Sequence, residues 1–147
     1  IPVTTRYFSI PGTAFLPTKD TVTYDGQDAR WATGGSTVAF SAPINLPDGA
    51  VITEVRLIYF RGSSQTISLS FRRFNPMTNT QQTIASGTGS MLSCPCSLVL
   101  PVGPFATVDN QTYSYLALVS WNVNSEFPDS LKILGLRVSY TITAPLP

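Results

Sequence analysis

Apolar residues recur at every second position along much of this chain, and nowhere does an apolar 3.6-residue period persist for three turns. Residues 51–59 place Val51, Thr53, Val55, Leu57 and Tyr59 on one face, with Glu54 and Arg56 on the other. Ile67, Leu69 and Phe71 then alternate with Thr66, Ser68, Ser70 and Arg72, the pattern of a half-buried strand. In residues 113–121, Tyr113, Tyr115, Ala117, Val119 and Trp121 alternate with Ser114, Leu116, Leu118 and Ser120. Both faces there carry apolar side chains, so the strand is expected in the middle of a sheet. Residues 134–142 put Leu134, Leu136, Val138, Tyr140 and Ile142 on one face. Weaker signals fall at residues 5–10, 21–24, 37–41, 81–86 and 98–100, the stretch 81–86 reading as exposed and suited to a sheet edge.

Twelve prolines and ten glycines divide these segments. Leu46-Pro47-Asp48-Gly49-Ala50 has the composition of a tight turn, with proline fixing φ and glycine accepting φ > 0. Asn75-Pro76-Met77-Thr78-Asn79 reads as a hairpin loop, and Gly62-Ser63-Ser64 as a turn. Eight or so short strands at this spacing predict an all-β, antiparallel two-sheet sandwich, jelly-roll-like, with extended N- and C-terminal arms. The expected division is an N-terminal arm or edge strand at residues 1–15, one sandwich domain at 16–142 and a tail at 143–147. Pro2, Pro11, Pro145 and Pro147 mark the two ends, where a missing backbone donor suits an arm or an edge.

Composition narrows the chemistry. The 147 residues contain no histidine, which removes the commonest general base, metal ligand and pH switch. Nine basic and eight acidic side chains give a net charge of +1, no field for steering nucleic acid or anionic membrane. Charged residues make up 12%, about half the usual share, so hydroxyls and amides solvate the surface or part of it faces another protein. The hydroxyl-rich, lysine-poor composition and a start at Ile1 predict an exported protein, secreted or held at a cell surface. No run of 18 apolar residues supports membrane insertion.

Every constellation that could replace histidine is thin. Glu54 lies on an outward strand face beside Arg56, and Asp25 and Asp28 flank a turn without the regular oxygen spacing of a calcium loop. The hydroxyls have no Gly-x-Ser-x-Gly elbow and no Ser-x-x-Lys. Arg72 and Arg73 point to opposite faces of one strand, so they make no basic stripe. Cys94-Pro95-Cys96 is too poor in ligands for a metal and is not Cys-x-x-Cys, leaving a local disulfide, an inter-subunit bridge or free thiols. Asn110-Gln111-Thr112 matches an N-glycosylation sequon. No cofactor, no metal and no catalytic residue are expected. The remaining lead is aromatic: Trp31 with Asp25 and Asp28, and Trp121 with Asn122, are candidates for stacking on a sugar. Trp121 shares the strand parity of Tyr113 and Tyr115, which favours core packing, and packing beneath a loop is favoured for Trp31.

Three stretches carry a resemblance: residues 7–17 (YFSIPGTAFLP), residues 42–50 (APINLPDGA) and residues 108–115 (VDNQTYSY), followed by Leu134-Gly135-Leu136-Arg137-Val138-Ser139-Tyr140. Together the chain resembles a set of uncharacterised exported microbial β-sandwich proteins with an "APVNLPDGA"-like turn and a "VDNxxYxY"-like strand. The resemblance implies a β-sandwich, with trimers as one form of assembly, and no reaction. The chain departs from that pattern at Arg61, where an aspartate often follows, and at Cys94-Pro95-Cys96.

The sequence thus points first to a non-enzymatic structural protein that associates with other copies of itself in an extracellular assembly, a closed oligomer or a fibre. Thr4, Thr5, Arg6, Tyr7, Phe8, Ser9 and Ile10 would form an arm that completes a neighbour's sheet. The alternatives are a carbohydrate-binding module whose partner is a polysaccharide, and a virion shell or decoration protein.

Overall fold

The computed structural model of the chain describes residues 3–27, 29–33, 37–62, 65–89, 94–123 and 131–143. Its strands are β1 (Thr4–Pro11), β2 (Leu16–Pro17), β3 (Tyr24–Asp25), β4 (Trp31–Ala32), β5 (Thr37–Ile44), β6 (Val51–Arg61), β7 (Ile67–Asn75), β8 (Thr80–Gly89), β9 (Cys94–Pro101), β10 (Ser114–Asn122) and β11 (Leu131–Ile142). A four-stranded sheet runs β1-β11-β6-β9 and a five-stranded sheet β2-β5-β10-β7-β8, with β3 and β4 as a short ribbon. All pairings are antiparallel. This is the expected two-sheet sandwich, and β10 holds the central place its two apolar faces require. Among the described residues no helix is long and apolar enough to cross a membrane.

Between the sheets lies one core. From the four-stranded sheet it takes Val55, Leu57, Tyr59, Leu131, Ile133, Leu136 and Val138, and from the five-stranded sheet Val38, Phe40, Leu69, Phe71, Ala117 and Val119, all buried. Period-two alternation supplies each set, because successive side chains of a strand point to opposite faces.

Two bulges in the β6–β11 pairing break that alternation and correct the sequence reading. A register shift between Ile133 and Gly135 turns Ile133 inward and leaves Leu134 half-buried on the outside. A second shift, where Glu54 faces Ser139 and Ile52 faces Tyr140, buries Ile52 and leaves Thr53 exposed. One added residue reverses the parity beyond it, so Leu134 and Thr53 do not share the faces that strict alternation assigns them.

The N-terminal segment takes the edge-strand form of the two expected. Residues 4–11 pair with residues 135–142 of the same chain, from Thr4↔Ile142 to Pro11↔Gly135. The proposed arm, Thr4–Ile10, is therefore already used in its own sheet. Of the C-terminal tail, residues 144–147 lie outside the described residues. The expected strand at residues 21–24 shrinks to Tyr24–Asp25 in the small ribbon.

Two of the motifs that carry the resemblance meet in space. Gly49 adopts φ +77°, as its turn requires, and its N–H donates to the Val108 carbonyl at 2.8 Å. Asn110 donates its backbone N–H to Asp48 Oδ1 and its side-chain Nδ2 to the Leu46 carbonyl, both at 2.8 Å. The Asp109 N–H donates to the Tyr115 hydroxyl at 2.9 Å. The turn and the strand start, some sixty residues apart, are thus two halves of one hydrogen-bonded corner.

Beside this corner Arg73 is stacked between Phe105 and Tyr113, 3.9 Å from each ring centroid, and its Nε donates to Gln82 Oε1 at 2.6 Å. Thr112 hydrogen bonds, the Gln111 N–H and the Arg73 charge hold the Asp109 carboxyl below the usual carboxylate range, against a smaller opposing effect of desolvation. A depressed folded value stabilises the fold above the unfolded pKa, and that contribution is lost as pH falls through the folded value. Asp109→Asn keeps an oxygen acceptor but cannot ionise, so its urea midpoint should fall less than that of the parent between about pH 5 and 2. Parallel pH profiles for the two proteins would show that Asp109 has no part in the acid limb.

Candidate functional site

The outward face of the five-stranded sheet is built from the polar half of the alternating strands. On β7 these residues are Ser68, Ser70 and Arg72, between the buried Ile67, Leu69 and Phe71. Strand pairing sets them in rows: Ser120, Ser68 and Thr88 form one, and Leu118, Ser70 and Ser86 the next. Leu116 faces Arg72, which faces Thr83 beyond a bulge on β8. On the far side β5 adds Ala39 and Ser41 to the first two rows.

These rows line an open cavity of about 440 Å³, whose walls are Ser68, Ser70, Thr83, Ser86, Thr88 and Ser120 around Leu118 and Arg72. Arg72 Nε donates to Ser70 Oγ at 2.8 Å and Nη1 to Gln81 Oε1 at 3.0 Å. These bonds fix the guanidinium plane over the hydroxyls and leave Nη2 for an incoming acceptor. No carboxylate lies among the lining residues. The cavity therefore offers many neutral donors and acceptors, one fixed cation and an apolar floor. It can hydrogen-bond a polyol, and it holds no pair of groups for acid–base chemistry.

No protein-family model matches the sequence, and no curated protein matches it. Solved structures do match by shape. The CBM22-1–GH10 modules of Clostridium thermocellum endo-1,4-β-D-xylanase 10B, complexed with xylohexaose, superpose with a TM-score of 0.56 at 9% identity, covering 92% of this chain and 27% of that one. The Podospora anserina GH26-CBM35 β-(1,4)-mannanase gives 0.54 at 9% identity, over 96% and 28%. The C-terminal family 22 carbohydrate binding module of Clostridium thermocellum Xyn10B gives 0.36 at 15% identity, over 92% and 83%. What the first two share with this chain is the fold. This chain spans about a quarter of the length of the two enzymes it superposes on best of these.

The sandwich separates the two tryptophans that the sequence offered as sugar platforms. Trp121 faces inward, 3% exposed, and stacks on Phe40 at 5.2 Å with the rings 11° from parallel. It has no face for a ligand, because its strand parity is that of Tyr115 and Val119. Asn122 is exposed at the end of β10, where its Oδ1 accepts from Thr37 Oγ1 and its carbonyl from Gln65 Nε2. Trp31 and Asp25 are brought together as cross-strand partners of the ribbon, although Asp25 Oδ1 accepts from the Gly26 N–H within its own turn. Asp28 lies outside the described residues.

Trp31 stands on the opposite side of the molecule from the hydroxyl cavity. Arg30 bridges Ile133 through two backbone bonds, of 2.9 and 2.7 Å, and brings Trp31 beside Lys132 on the outside of the four-stranded sheet. The Lys132 ammonium lies 5.0 Å from the Trp31 ring and 5.8 Å from that of Phe60. Cys96 is buried and disulfide-bonded, so it is not a free thiol. The Cys94 side chain lies outside the described ones. Arg61, the departure from the resemblance, is buried and donates Nε to the Gln65 carbonyl. Among the described residues no group of three or more acidic or cysteine side chains could hold a metal ion.

Sequence reasoning missed the cavity. Its Ser-x-Ser-x-Arg face was legible as the polar side of a strand, but hydroxyls become a site only when three strands set them in rows.

Proposed function

We propose that this chain is a carbohydrate-binding module, non-catalytic and exported, that holds a polysaccharide against the outer face of its five-stranded sheet. The observation that carries the reading is the hydroxyl-lined cavity over β10, β7 and β8, with the Arg72 guanidinium fixed above it. The likeness in fold to the CBM22-1–GH10 and GH26-CBM35 structures supports it, since those chains carry modules so named. Calorimetry against xylan, mannan, galactan and cellulose oligosaccharides tests it. Binding should appear for at least one of them, and Arg72→Ala should weaken it about tenfold, the loss of one or two hydrogen bonds from a charged donor. Trp31→Ala should leave it unchanged. No heat with any glycan, or full affinity in Arg72→Ala, would sink the reading.

A second reading, self-association at a sheet edge, has one observation in its favour. Among the described residues the outer edge of β1 has no neighbouring strand, and Tyr7 on it is 61% exposed. Light scattering after size exclusion decides it: a monomer at high concentration removes it.

A further inference from the structure

The outer face of the four-stranded sheet carries a feature that folding alone does not explain. Arg56 of β6 and Arg137 of β11 are direct cross-strand partners, and the buried pairs Val55↔Val138 and Leu57↔Leu136 on either side of them fix both side chains outward. Like charges directly opposite each other destabilise a sheet. One carboxylate answers them: Glu54 Oε1 accepts from Arg56 Nε at 2.9 Å, the one ion pair among the described residues. Arg137 has no such partner. Its guanidinium lies 5.3 Å from the Tyr7 ring centroid, and its buried Nε has no hydrogen bond.

Lys132 lies on the same face, opposite Phe60 and beside Trp31. Among the described residues, three cations and one carboxylate thus share a surface with the rings of Trp31, Phe60 and Tyr7. The β6 partners of Lys132 and Arg137, Phe60 and Arg56, are four residues apart, so Lys132 and Arg137 lie about 13 Å apart along the sheet at roughly 3.3 Å per residue, the length of a polymer segment rather than of one small ion. Guanidinium pairs take carboxylate and sulfate oxygens in two-pronged bonds, and aromatic rings cover the apolar faces of sugars.

We propose that the Arg56–Arg137 face is a second binding surface, selective for the acidic groups of an anionic polysaccharide, carboxylate or sulfate ester. The anion resolves the like-charge pair, and Trp31, Phe60 and Tyr7 hold the sugar rings beside it. The class of polymer rests on the carbohydrate-binding reading; the anion site stands on the arginine pair itself.

The experiment measures retention of the whole chain in affinity gels containing polygalacturonate, dextran sulfate, poly-glutamate or a neutral xylan, with thermal melting as the folding control. At ~20 mM NaCl the parent should be retained by at least one acidic polysaccharide, and about 0.5 M NaCl should abolish retention. Arg56→Gln/Arg137→Gln should lose at least about tenfold in affinity while still melting cooperatively, and Arg137→Lys, which keeps the charge, should lose less. Preference for polygalacturonate assigns a carboxylate site, and preference for dextran sulfate a sulfate site. Equal retention of parent and double glutamine variant, or stronger retention by poly-glutamate than by either polysaccharide, would overturn the proposal. Arg72→Ala separates the two surfaces: it should weaken neutral glycan binding and leave retention by the acidic gels intact. Acidic retention with no binding of neutral glycan would remove the cavity reading and keep this one.

Discussion

Gly12→Ala should cost about 3 kcal/mol or more and lower the melting temperature by on the order of 10 °C. Gly12 follows β1 and opens a single 3-10 turn, Gly12–Ala14, and a Cβ built there would overlap the Ile133 carbonyl oxygen. That oxygen cannot yield easily, because it accepts the Arg30 N–H at 2.9 Å while the Ile133 N–H donates to the Arg30 carbonyl at 2.7 Å. The Arg30 side chain extends the same knot, donating Nη2 to the Thr13 carbonyl at 2.8 Å and Nε to the Phe15 carbonyl at 3.1 Å. Three separate stretches of chain would therefore have to move for one methyl group. Gly49→Ala is the matched contrast: its Cβ meets open space, and only the φ of +77° opposes it, at about 1 kcal/mol. Equal melting temperatures for the two variants would show that the knot is pliable.

Trp121→Ala should destabilise by about 3–5 kcal/mol, as removal of a fully packed tryptophan does. The ring is 3% exposed and stacks on Phe40, which meets the Tyr24 ring edge-on at 6.2 Å and 89°. Trp121→Phe should stay within about 1 kcal/mol, because it keeps a ring in the stack and removes an indole N–H that is buried without a partner. Urea denaturation followed by circular dichroism measures both. Where the alanine variant is still folded, its affinity for glycans should equal that of the parent. A surface ring at this position would give the opposite pattern, a stable variant with lost binding.

The contrast between the two tryptophans marks how far the sequence could be read. Parity with Tyr115 and Val119 was enough to place Trp121 inside, because nothing interrupts the alternation of β10. Trp31 sits on a two-residue strand with no alternation to read, and its place beside Lys132 depends on a bridge from Arg30 to Ile133, a hundred residues away. Leu134 and Thr53 were misplaced for a third reason: a bulge leaves apolar and polar residues in the same order along the chain while changing the face they occupy. The cavity and the arginine pair share the limitation of Trp31. Each strand announces its own polar face, and only the register between strands sets Arg56 against Arg137 or Ser68 between Ser120 and Thr88. The hairpin at residues 75–80 was legible because its loop chemistry is local; Asn79 takes the left-handed conformation, at φ 53°, that asparagine tolerates.

Pairing of the first strand with the last brings the two ends of the domain together, Thr4 opposite Ile142. Partners in an antiparallel ladder lie about 5 Å apart. A unit whose entry and exit points coincide can be spliced into a surface loop of a host protein as readily as it can be strung on a linker. Joining its ends and opening it elsewhere, for instance at the exposed hairpin tip around Met77, would keep every strand pair in place.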